Sequence, residues 1–358
     1  MQIEQILKES MEKNGSDLFI VPGAVIKIKI KGKLESIGQE KVMPEQSFEL
    51  LKQIYTHCQR SMEPLMQNGD DDFSFSYPQI GRFRCNAYKQ RNSYAAVIRM
   101  VPFGLPDAAK MNIPDNVINL ADMKNGMILV TGPAGSGKST TLACMIDRIN
   151  QTKNGHIITL EDPIEFVHSH KKCLISQREI HLDTHDYATA LRAALRQTPN
   201  TILLGEMRDF DTIKTALTAA ETGQLLLSTL HTLGAAKTID RIIDMFPANQ
   251  QAQIRVQLSM VLRAVVSQQL LSAEDGSLIP VFEIMVVTPA IANLIREGKI
   301  HQIDNAMFSS QDRGMQTMDG ALATLVKEGK ITKEIALAYA QDKTMFERKL
   351  RERKAHGI

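Results

Sequence analysis

Residues 127–139 constrain the fold of this chain more than any other stretch. Met127-Ile128-Leu129-Val130-Thr131 is a short apolar run ending in glycine, and Gly132-Pro133-Ala134-Gly135-Ser136-Gly137-Lys138-Ser139 follows without a break. A continuous apolar run of this length predicts a strand buried on both faces. The segment after it matches G-x-x-x-x-G-K-[ST], the pattern of a phosphate-binding loop. Its glycines let consecutive backbone N–H groups point into one concavity. A helix starting at Lys138 turns its positive dipole end toward the same place. Lys138 adds a charge at the β- and γ-phosphates, and the Ser139 hydroxyl suits Mg²⁺. By average composition the pattern arises by chance in roughly one chain per hundred of this length, and here both the strand before it and the helix after it are present. Gly132, Pro133, Ala134, Gly135, Ser136, Gly137, Lys138, Ser139 and Thr140 are therefore the predicted ATP-binding segment.

Further apolar runs at 156–160, 201–204 and 225–230 alternate with helical stretches, which predicts an α/β domain with a mainly parallel sheet flanked on both faces. Two of these runs end in acids, Thr159-Leu160-Glu161-Asp162-Pro163 and Leu203-Leu204-Gly205-Glu206. Carboxylates at the carboxyl ends of parallel strands lie where open α/β sheets bind ligands. One would serve Mg²⁺ and its waters and the other would orient the attacking water; the residues alone leave open which does which. Ser228-Thr229-Leu230-His231-Thr232 brings His231 to the same edge, where its ring is suited to a hydrogen bond with a γ-phosphate.

The first hundred residues read differently. Ile3, Ile6, Leu7 and Met11 have helical spacing and Gly15 stops that helix. Ile26, Ile28 and Ile30 alternate with Lys27, Lys29 and Lys31, as in a half-buried strand. Pro44 opens a second helix, and strand-like runs follow at 73–77, 82–89 and 94–101. This predicts a small α+β domain. Arg82 and Arg84 share one strand face, with Arg99 on the next run; solvated surface charge and a phosphate contact made to another subunit are the two readings. Arg192 and Arg196 are spaced to share a helix face, with ion pairing as their default role. Prolines and a glycine at 101–106 mark a boundary. Helices are expected at 289–297, 318–328 and 333–341. The predicted organisation is 1–100, a linker at 101–112, an ATPase core at 113–280 and a C-terminal helical region at 281–358.

Composition narrows the partners. The 42 basic and 40 acidic residues leave a net charge of +2, and that balance disfavours a dedicated nucleic-acid or membrane-surface binder. The basic residues Lys349, Arg351, Arg353 and Lys354 read as a solvated helix face. Cys58, Cys85, Cys144 and Cys173 form no CxxC pair, so they read as reduced, small apolar residues rather than as a zinc cage. The first residues lack the pattern of a signal peptide, and no run approaches 18 apolar residues. A cytoplasmic protein without a membrane span is expected.

Together the motifs resemble the secretion ATPases of type IV pili and type II secretion, and within them the twitching-motility retraction ATPases. The resemblance covers essentially the whole chain. It rests on Gly15-Ser16-Asp17-Leu18, Gly81-Arg82-Phe83-Arg84, the phosphate loop, and Leu160-Glu161-Asp162-Pro163-Ile164-Glu165-Phe166-Val167-His168. Gly205-Glu206-Met207-Arg208-Asp209 and the stretch from Thr218-Ala219-Ala220-Glu221-Thr222-Gly223 to Thr229-Leu230-His231-Thr232 complete it. It implies a PAS-like N-terminal domain, a RecA-like P-loop ATPase domain with a C-terminal helical appendage, and a homohexameric ring with ATP between the two domains. It implies Glu161 as the water-activating carboxylate, Glu206 as the acid acting on Mg²⁺ through water, and His231 as the γ-phosphate sensor. Arg82 and Arg99 become candidate phosphate contacts.

The resemblance further implies an inner-membrane platform protein as partner at the pilus base, with pilin depolymerised indirectly and no nucleic acid bound. Three features depart from the family pattern. Ala292 replaces an arginine in Ala290-Ile291-Ala292-Asn293-Leu294-Ile295-Arg296-Glu297, Ala134 stands where threonine is common, and Gln197-Thr198-Pro199-Asn200 replaces a more acidic stretch. A pilus-extension or type II secretion ATPase is the nearer alternative, disfavoured by the missing cysteine pairs and the short N-terminal region. A hexameric nucleic-acid translocase is a more distant one, disfavoured by balanced charge and 5% aromatic content. A non-hydrolysing regulatory subunit is opposed by the complete set of Lys138, Glu161, Glu206 and His231.

Overall fold

The alternation of isoleucine and lysine around residue 28 produces one strand of a six-stranded antiparallel sheet. The computed structural model describes residues 2–101, 104–273, 276–309 and 314–351. Pro102 and Phe103 of the expected boundary, and Arg353 and Lys354 of the basic tail, lie outside them. Two compact units are present: Met1–Gly104 with Glu165–Val167, and Leu105–Ile164 with His168–Ile358.

The first unit contains α1 (Ile3–Glu12), β1 (Asp17–Ile20), β2 (Val25–Ile30), β3 (Lys33–Lys41), α2 (Pro44–His57), α3 (Glu63–Asn68), β4 (Asp70–Tyr77), β5 (Gly81–Gln90) and β6 (Ser93–Val101). The strands lie in the order β3-β2-β1-β6-β5-β4. One sheet face, with Leu18, Ile28, Phe83 and Ile98, packs with Leu7 of α1 and Leu51 and Ile54 of α2. Pro44 sits in the first turn of α2, and the Gln46 side chain accepts the Met43 N–H at 2.8 Å, which closes that helix start. Burying each such aliphatic chain contributes about 1.5–3 kcal/mol. An exposed ion pair such as Lys13–Glu9 contributes at most about 1 kcal/mol, so apolar burial decides the packing.

The second unit contains α4 (Asp115–Ile118), β7 (Gly126–Thr131), α5 (Lys138–Thr152), β8 (Gly155–Glu161), β9 (Cys173–Glu179), α6 (Tyr187–Ala194), β10 (Thr201–Leu204) and α7 (Phe210–Glu221). It continues with β11 (Leu225–Leu230), α8 (Ala235–Asp244), α9 (Ala248–Val261), β12 (Leu262–Ser272), β13 (Leu278–Val286), α10 (Pro289–Glu297), α11 (Ile303–Phe308), α12 (Met318–Lys327), α13 (Lys333–Tyr339) and α14 (Lys343–Arg351). The strand order is β13-β12-β7-β11-β10-β8-β9. Every neighbour is parallel except the antiparallel β12–β13 pair. All residues of β7, β10 and β11 are buried. Met127 and Leu129 face the layer holding Leu191, Ile213 and Leu258, and Ile128 and Val130 face Leu142, Ile146 and Ile149 of α5.

Four of the seven strands were expected from sequence. β9 was missed because it is an edge strand with a mixed pattern, and β12 because Ser267, Gln268 and Gln269 interrupt its apolar run while being buried themselves. β13 runs through residue 280, so the change from sheet to helix comes after Val286. Pro280 pairs with Leu270 there, and β13 tolerates it as the outermost strand. α6 ends at Ala194, so Arg196 falls in the following turn instead of sharing a helix face with Arg192, whose guanidinium donates to Thr189 Oγ1. Cys85, Cys144 and Cys173 are buried, Cys58 is half-buried, and all four are free thiols.

Candidate active site

Strand order assembles the site. β8, β10, β11 and β7 are consecutive neighbours and all parallel, so their carboxyl ends share one edge. Glu161 ends β8, Glu206 follows β10 by two residues, His231 follows β11 directly, and the loop from Gly132 follows β7. Four segments separated by up to 99 residues (His231 against Gly132) thus meet along adjacent strands.

The phosphate loop has the backbone its glycines permit. Gly132, Gly135 and Gly137 take φ of 141°, 76° and 86°, values unfavourable for other residues. A Cβ at Gly132 would clash with the Gln268 carbonyl oxygen, so β12 backs the loop closely. Thr141 Oγ1 donates to Gln268 Oε1 at 2.7 Å and ties α5 to the same strand. Lys138 Nζ is buried and donates to the carbonyls of Gly132 and Pro133, each at 2.9 Å. The buried hydroxyls of Ser136, Thr131 and Ser228 have no hydrogen-bond partner among the described residues. An orphaned donor inside a cradle of backbone N–H groups fits an acceptor-rich phosphate. Among the described residues no group of three or more His, Cys, Asp or Glu side chains is placed to hold a metal. Mg²⁺ in a loop of this kind is held through phosphates, water and one hydroxyl instead, a role open to Ser139.

The acids are held by short contacts. Thr159 Oγ1 donates to Glu161 Oε1 at 2.6 Å, and Gln177 Nε2 donates to the same oxygen at 3.3 Å. Glu206 is largely buried and pairs with Arg208 Nε; His231 Nε2 lies 3.5 Å from its Oε2. The Thr229 hydroxyl donates to the Gly205 carbonyl at 2.6 Å, which locks β11 to the Glu206 turn. Tyr187 of α6 reaches the same edge: a Cβ at Gly205 would lie 2.9 Å from its hydroxyl. Burial, and then the charges of Glu206, Asp162 and Glu161, push the Tyr187 phenol well above its ordinary value.

In the first unit, Arg84 stands directly opposite Arg99 across β5 and β6. Arg84 forms a two-toothed pair with Asp72 (3.2 and 2.7 Å), Arg99 Nε donates to Asp17 at 2.9 Å, and Arg82 donates to Ser76 Oγ at 3.3 Å. The Arg99 side chain remains 70% exposed despite its ion pair.

The family model described as type II/IV secretion system protein matches residues 1–277. This chain belongs to that family. The type IV pilus retraction ATPase PilT of Pseudomonas aeruginosa is 45% identical over 337 residues, covering 94% of this chain and 97% of that protein. A twitching motility protein of Neisseria gonorrhoeae is 47% identical over 316 residues, covering 88% of this chain and 84% of its own. A crystal structure of the pilus retraction motor PilT with bound ADP superposes with a TM-score of 0.89 at 45% identity, covering 97% of this chain and 99% of that one. The α/β fold expected from sequence is thereby borne out, as is the resemblance to the retraction branch of the secretion family.

Sequence reasoning missed Gln268, Tyr187 and Gln177 in this secretion-family site. Gln268 hides in a polar run that looks like a loop. Tyr187 sits at a helix start, where no motif marks it. Gln177 carried one usable signal, a polar side chain on a strand beside the strand of Glu161.

Proposed function

We propose that this chain is an ATP-hydrolysing motor subunit that powers type IV pilus retraction. The observation carrying the chemistry is the shared edge of four neighbouring parallel strands, which bear the phosphate loop, His231, Glu206 and Glu161. The relation to retraction ATPases over nearly the full chain carries the biological role.

Gly132 to Thr140 would bind the phosphates through backbone N–H groups, with Lys138 exchanging its carbonyl partners for phosphate oxygens. Ser139, and Glu206 through water, would hold Mg²⁺, which supplies charge neutralisation at the phosphates. Glu161 orients the attacking water and takes its proton while the bond from γ-phosphorus to the bridging oxygen breaks. His231, beside Glu206, senses the γ-phosphate. Arg82 and Arg99 supply phosphate contacts to a neighbouring subunit's nucleotide, since a guanidinium suits transition-state charge. The working assembly is a homohexamer at the cytoplasmic face of the inner membrane, acting on a platform protein and only indirectly on pilin.

The biological reading is tested by expression in a piliated strain lacking its retraction ATPase. Restored twitching is expected, with no restoration by Glu161→Gln at equal protein level. Failure to restore twitching while pilus assembly is restored in a strain lacking its extension ATPase would overturn retraction in favour of extension.

A further inference from the structure

We propose that Thr159 and Gln177 are the positioning residues of Glu161, and that the two together set its carboxylate for attack-water activation. The inference rests on the reading of Glu161 as the base.

The two donors reach Glu161 from different directions. Thr159 is two residues earlier on β8 and therefore on the same strand face; it is fully buried, and its hydroxyl lies 2.6 Å from Glu161 Oε1. Gln177 lies on β9, directly opposite Thr159 in the parallel register, and its amide nitrogen lies 3.3 Å from the same oxygen. The amide is itself oriented. His168 N–H, which can only donate, is 2.7 Å from Gln177 Oε1, so the NH₂ end must face the carboxylate. Thr159 likewise has to donate, because a carboxylate only accepts. Two donors converging on one oxygen fix the plane of the carboxylate, where a lone surface glutamate would sample many rotamers.

Orientation of this kind matters for a general base, because catalytic groups work within about 0.5 Å of their productive position, and a misplacement of about 1 Å costs on the order of 100-fold. The bond from His168 gives Gln177 a second duty, tethering the segment that follows Glu161, and the test must separate the two. Gln177→Glu does so: its carboxylate still accepts the His168 N–H but cannot donate to Glu161 when ionised.

Steady-state hydrolysis and ATP binding are measured for Thr159→Val, Gln177→Met, Gln177→Glu and Glu161→Gln in the full chain. Thr159→Val, Gln177→Met and Gln177→Glu are expected to lower kcat about tenfold or more, with the KM for ATP and the affinity for a non-hydrolysable analogue within about twofold of wild type. Gln177→Glu at wild-type kcat would overturn the proposal and leave Gln177 a tether. Parallel losses of ATP affinity in Thr159→Val and Gln177→Met would also overturn it, in favour of general loosening of the site. A fully active Glu161→Gln would remove the base assignment itself, a failure distinct from Glu161→Gln being inactive while Thr159→Val and Gln177→Met keep wild-type kcat.

Discussion

Single residues hold this site in shape from behind as much as from within. Gln268 is the clearest case. It is buried, its backbone oxygen lies against Gly132, and its side chain accepts from Thr141 on the first helical turns after the phosphate loop. Gln268→Leu keeps the volume but leaves the Thr141 hydroxyl without that acceptor, a cost of about 1–3 kcal/mol for a buried polar group. We expect the KM for ATP to rise roughly tenfold while kcat changes little, because the loop's ground-state binding is disturbed and Glu161 is not. Nucleotide titration checks this; a kcat loss at constant KM would contradict it. The phosphate loop was legible because its glycines announce their own φ values. Gln268 was not, because its neighbours Ser267 and Gln269 make the strand look solvated although all three are buried.

Elements are joined by buried polar groups that no motif marks. Glu283 on β13 accepts from the Ala235 N–H at 2.7 Å, the Met318 N–H at 3.3 Å and Gln341 Nε2 at 3.2 Å. It thus connects the start of α8, just after the His231 loop, with α12 and the segment before α14. Ser267, directly opposite Glu283 in the β12–β13 register, accepts the Gly234 N–H at 2.9 Å and steadies the same loop. Burial pushes the Glu283 carboxyl up to about 7 from an ordinary 4.5; the Ala235 N–H opposes this, and Asp304 of α11 and Asp319 of α12 add to it.

Because the folded value lies above the unfolded one, Glu283 favours the fold fully below about pH 4.5, and that contribution is lost as pH rises through about 7. Glu283→Gln cannot ionise, so its denaturation midpoint should fall less than wild type's between those limits. Parallel profiles would contradict the assignment. The helices expected at 289–297, 318–328 and 333–341 lie close to α10, α12 and α13, and each begins at a threonine no motif marked: Thr288, Thr317 and Thr332 each accept the backbone N–H three residues on. β12 and β13 were not read, because buried polar residues and an edge proline mimic a loop.

At the scale of the whole chain, two units with separate cores carry two kinds of chemistry. The second unit gathers loop, acids and histidine at one sheet edge. The first presents a cross-strand row of Asp17, Arg99 and Arg84 on the face opposite its apolar core. Period-2 alternation made the first sheet legible at β2, while β3 escaped because eight of its nine residues are exposed and it has almost no apolar face to show. The order of strands in the second sheet was not written in any local pattern. It follows from which helices cover which face, and it is that order which makes a site from four separate segments.

Whether this chain turns over ATP is decided by steady-state hydrolysis with the purified protein in Mg²⁺, beside Glu161→Gln, with the mass of the assembly determined in the same buffer. Turnover by a six-subunit assembly is expected, with Glu161→Gln assembled and ATP-bound yet slowed by at least about 100-fold, within the range of a lost general base. ATP binding without turnover by the wild-type chain, or equal turnover by Glu161→Gln, would contradict it.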